Sequence, residues 1–389
     1  MPKEKSSKRV NCDILFDNNP NGIFKAGDAV SGSVTLTLTQ LKKVRGVCLL
    51  ITGFAETFWT SKVPHGPNNK KTKAQFKGRE DFIAQKSYLV GSETGNPIDL
   101  PIGTSNYTFQ LNIPQNVPTS MEGKYGHVRY VVKVTLERPW KHDQNFQMPF
   151  TVLAKVEFDE GNAALARPIK VEDQLRFYCW ICRSAPLMVT ATIPRSGYVP
   201  GDTIKVVLAV NNLSKEDVSE IVVKFQKVIT FMSQVQVVEE TQLYAESKMI
   251  KYETLEIQKT LPVARLANET FEKHFSLGPI TPTEDRNSKI IKIGYELDIL
   301  VRPKLSTKKI ELVIPVVIGS AGLKTEEAIE FARSTGIDKL AAGLERENPS
   351  APPPPYYEND TGDLYPVSSL QKAYERELSS EECDERDKY

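Results

Sequence analysis

Histidine, cysteine and tryptophan are scarce in this chain, with four, five and three residues among 389. The four histidines, His65, His127, His142 and His274, are scattered and form no H-E-x-x-H pair. Neither a G-x-S-x-G elbow nor a G-x-x-x-x-G-K-[ST] phosphate cradle occurs. No catalytic residue, metal site or cofactor is therefore expected. The five cysteines, Cys12, Cys48, Cys179, Cys182 and Cys383, are sparse and odd in number, which argues against a disulfide framework and for a reducing compartment. The sequons at Asn106 and Asn212 are then chance matches. Long apolar runs are missing too. The richest, Leu312 to Leu323, contains Pro315 and falls short of the roughly 20 residues a membrane helix needs. The opening MPKEKSSKRV has no apolar signal core, so a cytosolic protein is expected.

Net charge is also small, at +1, but it is unevenly spread. From Gly319 onward, 8 basic and 16 acidic residues give −8, which leaves +9 on the body. Basic residues concentrate between Thr60 and Lys86, read as a long polar loop that carries Lys62, Lys70, Lys71, Lys73, Lys77 and Arg79. Together with Lys42, Lys43 and Arg45 it is a candidate contact for phosphorylated cargo tails or anionic lipid heads, with a plain solvated loop as the alternative. Nucleic acid is not expected as a partner, because the charge is not interleaved with aromatics on a recognisable module.

What the chain does have is period-two alternation. Tyr107, Phe109, Leu111 and Ile113 share one face of a strand that Pro114 stops, and Tyr130, Val132, Val134 and Leu136 share one face of another. The same device returns at Ile291 to Val301, where Tyr295 takes the place of Tyr130. FKAGDAVSGSV at Phe24 to Val34 is echoed by YVPGDTIKVVL at Tyr198 to Leu208, and VRGVCLLITGF at Val44 to Phe54 by VSEIVVKFQKV at Val218 to Val228. An offset of roughly 165 to 175 residues is far longer than a solenoid period, so the chain is a tandem of two related β domains. Strand follows strand with turn signals between them and almost no helical periodicity, which argues for antiparallel sandwiches. The fold class is therefore all-β. Two sandwich lobes are expected at 10–158 and 188–318, with a linker at 159–187. A proline-containing acidic tail at 319–389 is expected to be mobile, apart from a short helix starting at Thr325.

The run L-P-x-G-x-x-x-Y-x-F-x-L-x-I-P from Leu100 and the run E-G-x-Y-G-x-V-R-Y-x-V-K from Glu122 closely resemble the N-terminal lobe of the arrestin fold. The stretch from Tyr198 resembles its C-terminal lobe, and with the tail the chain is similar to arrestin domain-containing proteins, the α-arrestins. The tail carries APPPPYYE, which satisfies the WW-domain ligand P-P-x-Y in two registers, Pro353-Pro354-Pro355-Tyr356 and Pro354-Pro355-Tyr356-Tyr357. Prolines hold the polyproline II conformation before a partner arrives, so little backbone entropy is lost on docking; a mere spacer is the alternative. The resemblance implies recruitment of the WW domains of Nedd4-type HECT ubiquitin ligases. It further implies an adaptor, not an enzyme, that binds cytosolic regions of membrane receptors or transporters, promotes their ubiquitination and endocytosis, and associates peripherally with plasma membrane and endosomes. A coat-like or retromer-like structural subunit on the same fold is the alternative.

Cys179-x-x-Cys182 sits in an aromatic stretch, RFYCWICRSAPL. It lacks the further ligands of a zinc site and the βαβ context of a thioredoxin-like pair, leaving packing between lobes or acylation. One branch of the resembled family captures thioredoxin through a cysteine in the second lobe; no cysteine lies between Cys182 and Cys383 here, so that activity is not expected.

Overall fold

The alternating stretches are strands in the computed structural model, which describes residues 10–19, 22–65, 70–139, 142–156, 160–179, 182–183, 185–238, 241–278 and 280–320. The first lobe runs β1 (Val10–Phe16), β2 (Ile23–Lys25), β3 (Ala29–Leu38), β4 (Lys42–Val44), β5 (Gly46–His65), β6 (Lys70–Gly91), β7 (Ile98–Leu100), β8 (Gly103–Asn112), β9 (Met121–Gly123), β10 (Gly126–Glu137) and β11 (Gln144–Leu153). A 3-10 turn (Glu160–Ala166) leads to β12 (Ile169–Leu175), β13 (Tyr178–Cys179) and β14 (Cys182–Arg183). The second lobe adds β15 (Leu187–Ile193), β16 (Gly197–Tyr198), β17 (Thr203–Asn212), β18 (Val218–Val238), β19 (Thr241–Lys259), β20 (Ala267–Ser276), β21 (Ile291–Pro303) and β22 (Ile310–Ile318).

Each lobe is a sandwich. In the first, β1-β3-β8 covers one side; in the second, β12-β15-β17-β20 does. Both pack on a single eleven-stranded sheet whose path is β16-β22-β21-β18-β6-β5-β10-β11-β2, with β19 beside β18 and β9 beside β10. The two lobes are thus joined edge to edge by β6 and β18, through the pairs Val235↔Lys77 to Val238↔Ala74. The second lobe also takes in β12, from the stretch expected to be linker, which pairs with β15 along its whole length. Buried apolar side chains of both lobes form one continuous core. In the first, Phe16, Phe24 and Phe150 meet edge to face at 5.3 to 5.9 Å; in the second, Phe225 stacks on Tyr295 at 5.8 Å.

The internal repeat holds down to single hydrogen bonds. Asp28 accepts from Lys25 N at 2.7 Å, and Asp202 from Val199 N at 2.9 Å, each closing a turn whose glycine is left-handed, Gly27 at φ 91° and Gly201 at φ 97°. Each turn follows a short strand in parallel pairing, β2 with β11 and β16 with β22. Tyr130 donates its hydroxyl to Pro118 O at 2.6 Å, and Tyr295 donates to Thr281 O at 2.7 Å. Both tyrosines are buried, so each hydroxyl needs that carbonyl.

The Lys-rich stretch from Thr60 to Lys86 is not the loop expected. It forms the outer halves of β5 and β6, a hairpin of 20 and 22 residues. Its inward row is Ala74, Phe76 and Gly78, with Phe76 stacked on Trp59 at 5.4 Å, while Lys73, Lys77 and Arg79 point outward. Two of the three inward residues are small, so the strand carries little apolar signal. Among the described residues no helix is long and apolar enough to cross a membrane.

Candidate binding surface at the lobe junction

The E-G-x-Y-G-x-V-R-Y string lies where the lobes meet. Glu122 and Arg129 form an ion pair with 14% and 7% of their side chains exposed, Arg129 Nη2 lying 2.9 Å from Glu122 Oε2. Tyr125 packs edge to face on Phe231 of the second lobe, with ring centres 5.8 Å apart. A Cβ on Gly126 would lie 2.4 Å from Glu56 O and 3.1 Å from the Phe231 ring, so only glycine lets β10, β5 and β18 close together. Across the junction Thr57 donates to Met232 O at 2.7 Å, and Glu80 accepts from Ser288 Oγ and Lys289 N at 3.0 and 2.9 Å.

Beside this seam opens a cleft of about 520 Å³, with walls from β5 (Glu56, Phe58), β6 (Lys77, Arg79), the β9–β10 turn (Lys124), the start of β10 (His127) and the end of β18. Arg79 is ion-paired with Glu56 and with Asp81, and its guanidinium stacks 4.5 Å over the Phe54 ring. The His127 hydrogen bond, assisted by the charge of Arg79 and opposed by burial, holds the Glu56 carboxyl below its ordinary value. Lys77 lies 5.9 Å over the half-exposed Phe58 ring. Glu56 and Arg79 largely neutralise each other, leaving Lys77 and Lys124 at an aromatic rim. The cleft therefore presents two cations beside aromatic rings, the chemistry that accepts an acidic or aromatic side chain.

The basic residues expected as an anion contact fall into separate groups. Lys70, Lys71 and Lys73 lie at the far tip of the β5–β6 hairpin, facing His65, Pro64 and Lys62. Lys42 and Lys43 pair with Leu100 and Asp99 in the short β4–β7 ribbon, Lys42 also donates to Gln144, and Arg45 N donates to Glu137 O at 2.7 Å. Arg45 and Lys62 stand near opposite ends of β5, roughly 50 Å apart at about 3.3 Å per residue. One patch is therefore ruled out; β5 is continuous strand, and a strand cannot fold its ends together. At the tip, Lys62 and Lys73 are directly opposed, an arrangement of like charges that destabilises a bare ladder and that an anion relieves.

Cys179 and Cys182 pair with each other in backbone register in the β13–β14 hairpin. Pro353, Pro354, Pro355, Tyr356 and Tyr357 lie outside the described residues, as does the helix expected at Thr325. Burial pushes the Cys12 thiol up to about 12 and also raises that of Cys48, so neither is poised as a thiolate. Among the described residues no group of three or more His, Cys, Asp or Glu side chains could hold a metal ion. Sequence reasoning missed the Glu122–Arg129 pair and the cleft. The signal available was the pair of glycines flanking Tyr125.

Two family models match the chain, the arrestin (or S-antigen) N-terminal domain over residues 12–159 and the arrestin (or S-antigen) C-terminal domain over 183–323. The chain belongs to the α-arrestin family. Similar relatives include the arrestin domain-containing protein 17 of Caenorhabditis elegans, 31% identical over 210 residues, 52% of this chain and 48% of that one. The human arrestin domain-containing protein 4 is 26% identical over 313 residues, covering 79% and 70% of the two chains, and the thioredoxin-interacting protein of Pongo abelii is 25% identical over 346 residues, covering 88% and 82%. The two arrestin domains and these relatives mark the chain as an α-arrestin-like adaptor.

Proposed function

We propose that this α-arrestin is a cytosolic adaptor that brings Nedd4-type HECT ubiquitin ligases to membrane cargo. The observation that carries this is the string Pro353 to Tyr357 placed behind two arrestin lobes. A polyproline II segment ending in tyrosine fits the aromatic grooves of WW domains, and the lobes supply the other half of an adaptor. Ser320, the last described residue, is tied to the end of the first lobe by its amide donating to Val156 O at 2.7 Å. From that anchor the 33 residues to Pro353 limit the motif's reach to roughly 110 Å, so the ligase is tethered close to whatever the lobes hold.

Cargo enters through its cytosolic regions. Acidic or phosphorylated segments suit the lysines at the β5–β6 tip, and the cleft beside Arg79 takes a side chain of the same segment. The adaptor does no chemistry itself; the ligase ubiquitinates the cargo, which is then endocytosed and sorted through endosomes. A calorimetric titration of a peptide spanning Asn348 to Asp360 with WW domains of such a ligase tests the recruitment arm. Binding is expected for the wild type and lost in either Tyr356→Ala or Tyr357→Ala, which also fixes the register. Absence of binding would reduce the prolines to a spacer and favour a coat-like subunit.

A further inference from the structure

We propose that the free edge of β19 is an interface at which two copies of this chain pair. β19 is 19 residues long, and among the described residues β18 is the strand it pairs with, so the backbone groups along its other side meet no strand. An unpaired edge of that length is a template for another strand, and proteins usually blunt it with charge, proline or twist. The same lobe shows the contrast. β20 is an edge of the opposing sheet, pairs with β17, and exposes Glu269, Glu272 and His274. β19 does the reverse.

Its outward row is Glu246, Lys248, Ile250, Tyr252 and Thr254, continued across a bulge at Leu255 by Ile257. Ile250, Tyr252, Leu255 and Ile257 are 38%, 57%, 40% and 53% exposed, whereas Lys251 and Glu253 lie on the more sheltered face and pair with each other. A strand that turns its apolar row outward gains by being covered.

Alternation decides the occupant. A partner strand must bring apolar side chains at every second position with no like charge opposite Glu246 or Lys248, and β19 itself meets that description. Antiparallel pairing about a two-fold axis through Ile250 sets Ile250 against its own copy, Tyr252 against Lys248 and Thr254 against Glu246, the last two twice over by symmetry. An ammonium beside a phenol ring is itself a favourable contact. On the sheltered face the same register sets Lys251 against Met249 and Glu253 against Ser247. Neighbouring registers are worse. An axis at Lys248 or Lys251 opposes two lysines, one at Met249 puts Glu246 against Tyr252, and one at Tyr252 runs the ladder into the Leu255 bulge. Beyond the bulge the edge closes onto β20, where Gln258 Nε2 donates to His274 O and Lys273 Nζ to Lys259 O, each at 2.6 Å. The ladder therefore ends at Thr254 and, by symmetry, at Glu246.

Such a dimer is closed, which removes the edge without opening a route to fibres. It also gives each assembly two copies of the Pro353 to Tyr357 string, so that a ligase with several WW domains is held by avidity. That consequence rests on the adaptor reading; the interface does not.

Sedimentation velocity of the full chain over a range of concentrations is the test, and a concentration-dependent shift from monomer to dimer is expected. Ile250→Lys, which opposes two lysines on the axis, should weaken association about tenfold or more without lowering the thermal midpoint of the monomer, because the side chain is exposed. Under mild oxidation Ile250→Cys should link two chains through a disulfide beyond the wild-type background, since directly opposed Cβ atoms lie about 4.5–5.5 Å apart, whereas Tyr252→Cys, opposite Lys248, should not. A chain that stays monomeric, a dimer that Ile250→Lys leaves intact, or equal cross-linking of Ile250→Cys and Tyr252→Cys would overturn the assignment. Slow amide exchange over residues 246–254 in a monomer would likewise overturn it and give the edge to another segment, such as the tail. The Asn348 to Asp360 titration uses none of these residues, so either idea can fail alone.

Discussion

The two lobes share a corner and differ in what they place beside it. In each, a buried tyrosine donates to the carbonyl of the connector before its strand, Tyr130 to Pro118 and Tyr295 to Thr281. Three residues past each acceptor, the connector pairs back onto the strand, as Met121↔Val128 in the first lobe and Glu284↔Ile293 in the second. A buried methionine in one lobe is therefore matched by a buried carboxyl in the other. The first lobe moves its charge one residue on, to Glu122, and neutralises it with Arg129. The second keeps Glu284 inward, accepting from Asn287 N at 2.8 Å and Asn287 Nδ2 at 3.2 Å. Equivalent backbones thus tolerate opposite side-chain chemistry wherever local donors replace water.

The largest expected effect breaks the first lobe's solution. Glu122→Ala leaves the Arg129 guanidinium buried without its carboxylate, which should cost about 3 kcal/mol and lower the midpoint of thermal unfolding. If the midpoint stays put, the pair is not what holds this corner. Next comes the seam. Gly126→Ala sets a methyl group against Glu56 O and the Phe231 ring, and a loss of roughly 1–3 kcal/mol should appear in denaturant titrations. Gly294→Ala, the counterpart of Arg129 in the second lobe, meets nothing within 4 Å and should be far milder. Equal losses would mean the seam is not close-packed.

Removing one hydroxyl from each corner is a finer comparison. Tyr130→Phe and Tyr295→Phe each leave a buried carbonyl without its donor, at about 1 kcal/mol apiece. Similar losses would make the repeat energetic as well as geometric. Strongly unequal losses would show that one hydroxyl only fills space.

Much of this frame was legible in the sequence because it is local. Alternation marks β8, β10 and β21; the Gly-Asp turns announce themselves through glycine and aspartate at fixed spacing; the tyrosines stand at matching points of their strands. The outer part of the β5–β6 hairpin, from Thr60 to Lys86, reads as loop because Ala74 and Gly78 give its inward row almost no hydrophobic contrast. On β19, Ile250, Tyr252 and Ile257 face solvent while Lys251 and Glu253 are sheltered, so the usual inside-outside sense is inverted. The β6–β18 ladder joins residues some 160 apart, and no local pattern encodes a pairing of that range. The split of the lysines followed from the same error, since only a continuous β5 separates Arg45 from Lys62.

The smallest effect has a definite sign. Burial pushes the Glu284 carboxyl above its ordinary 4.5, against the opposing hydrogen bonds from Asn287 and Arg286. Tyr130 of the first lobe and Asp285 both couple to its charge. With the folded value raised, the folded chain binds this proton more tightly than the unfolded chain does. The stability it brings is complete below about 4.5 and is lost as pH rises through the folded value. Glu284→Gln keeps the acceptor oxygen and removes the proton. The difference in thermal midpoint between variant and wild type should therefore grow in the variant's favour from pH 4.5 toward neutrality. Glu284→Met, which copies Met121, should show the same trend minus the hydrogen bonds to Asn287. Glu56, whose folded value is lowered, contributes with the opposite sign as pH falls, so the two carboxyls at the junction should be separable by direction alone. A midpoint difference that does not vary with pH would mean Glu284 is solvated, and the contrast with Met121 would then be one of shape and not of charge.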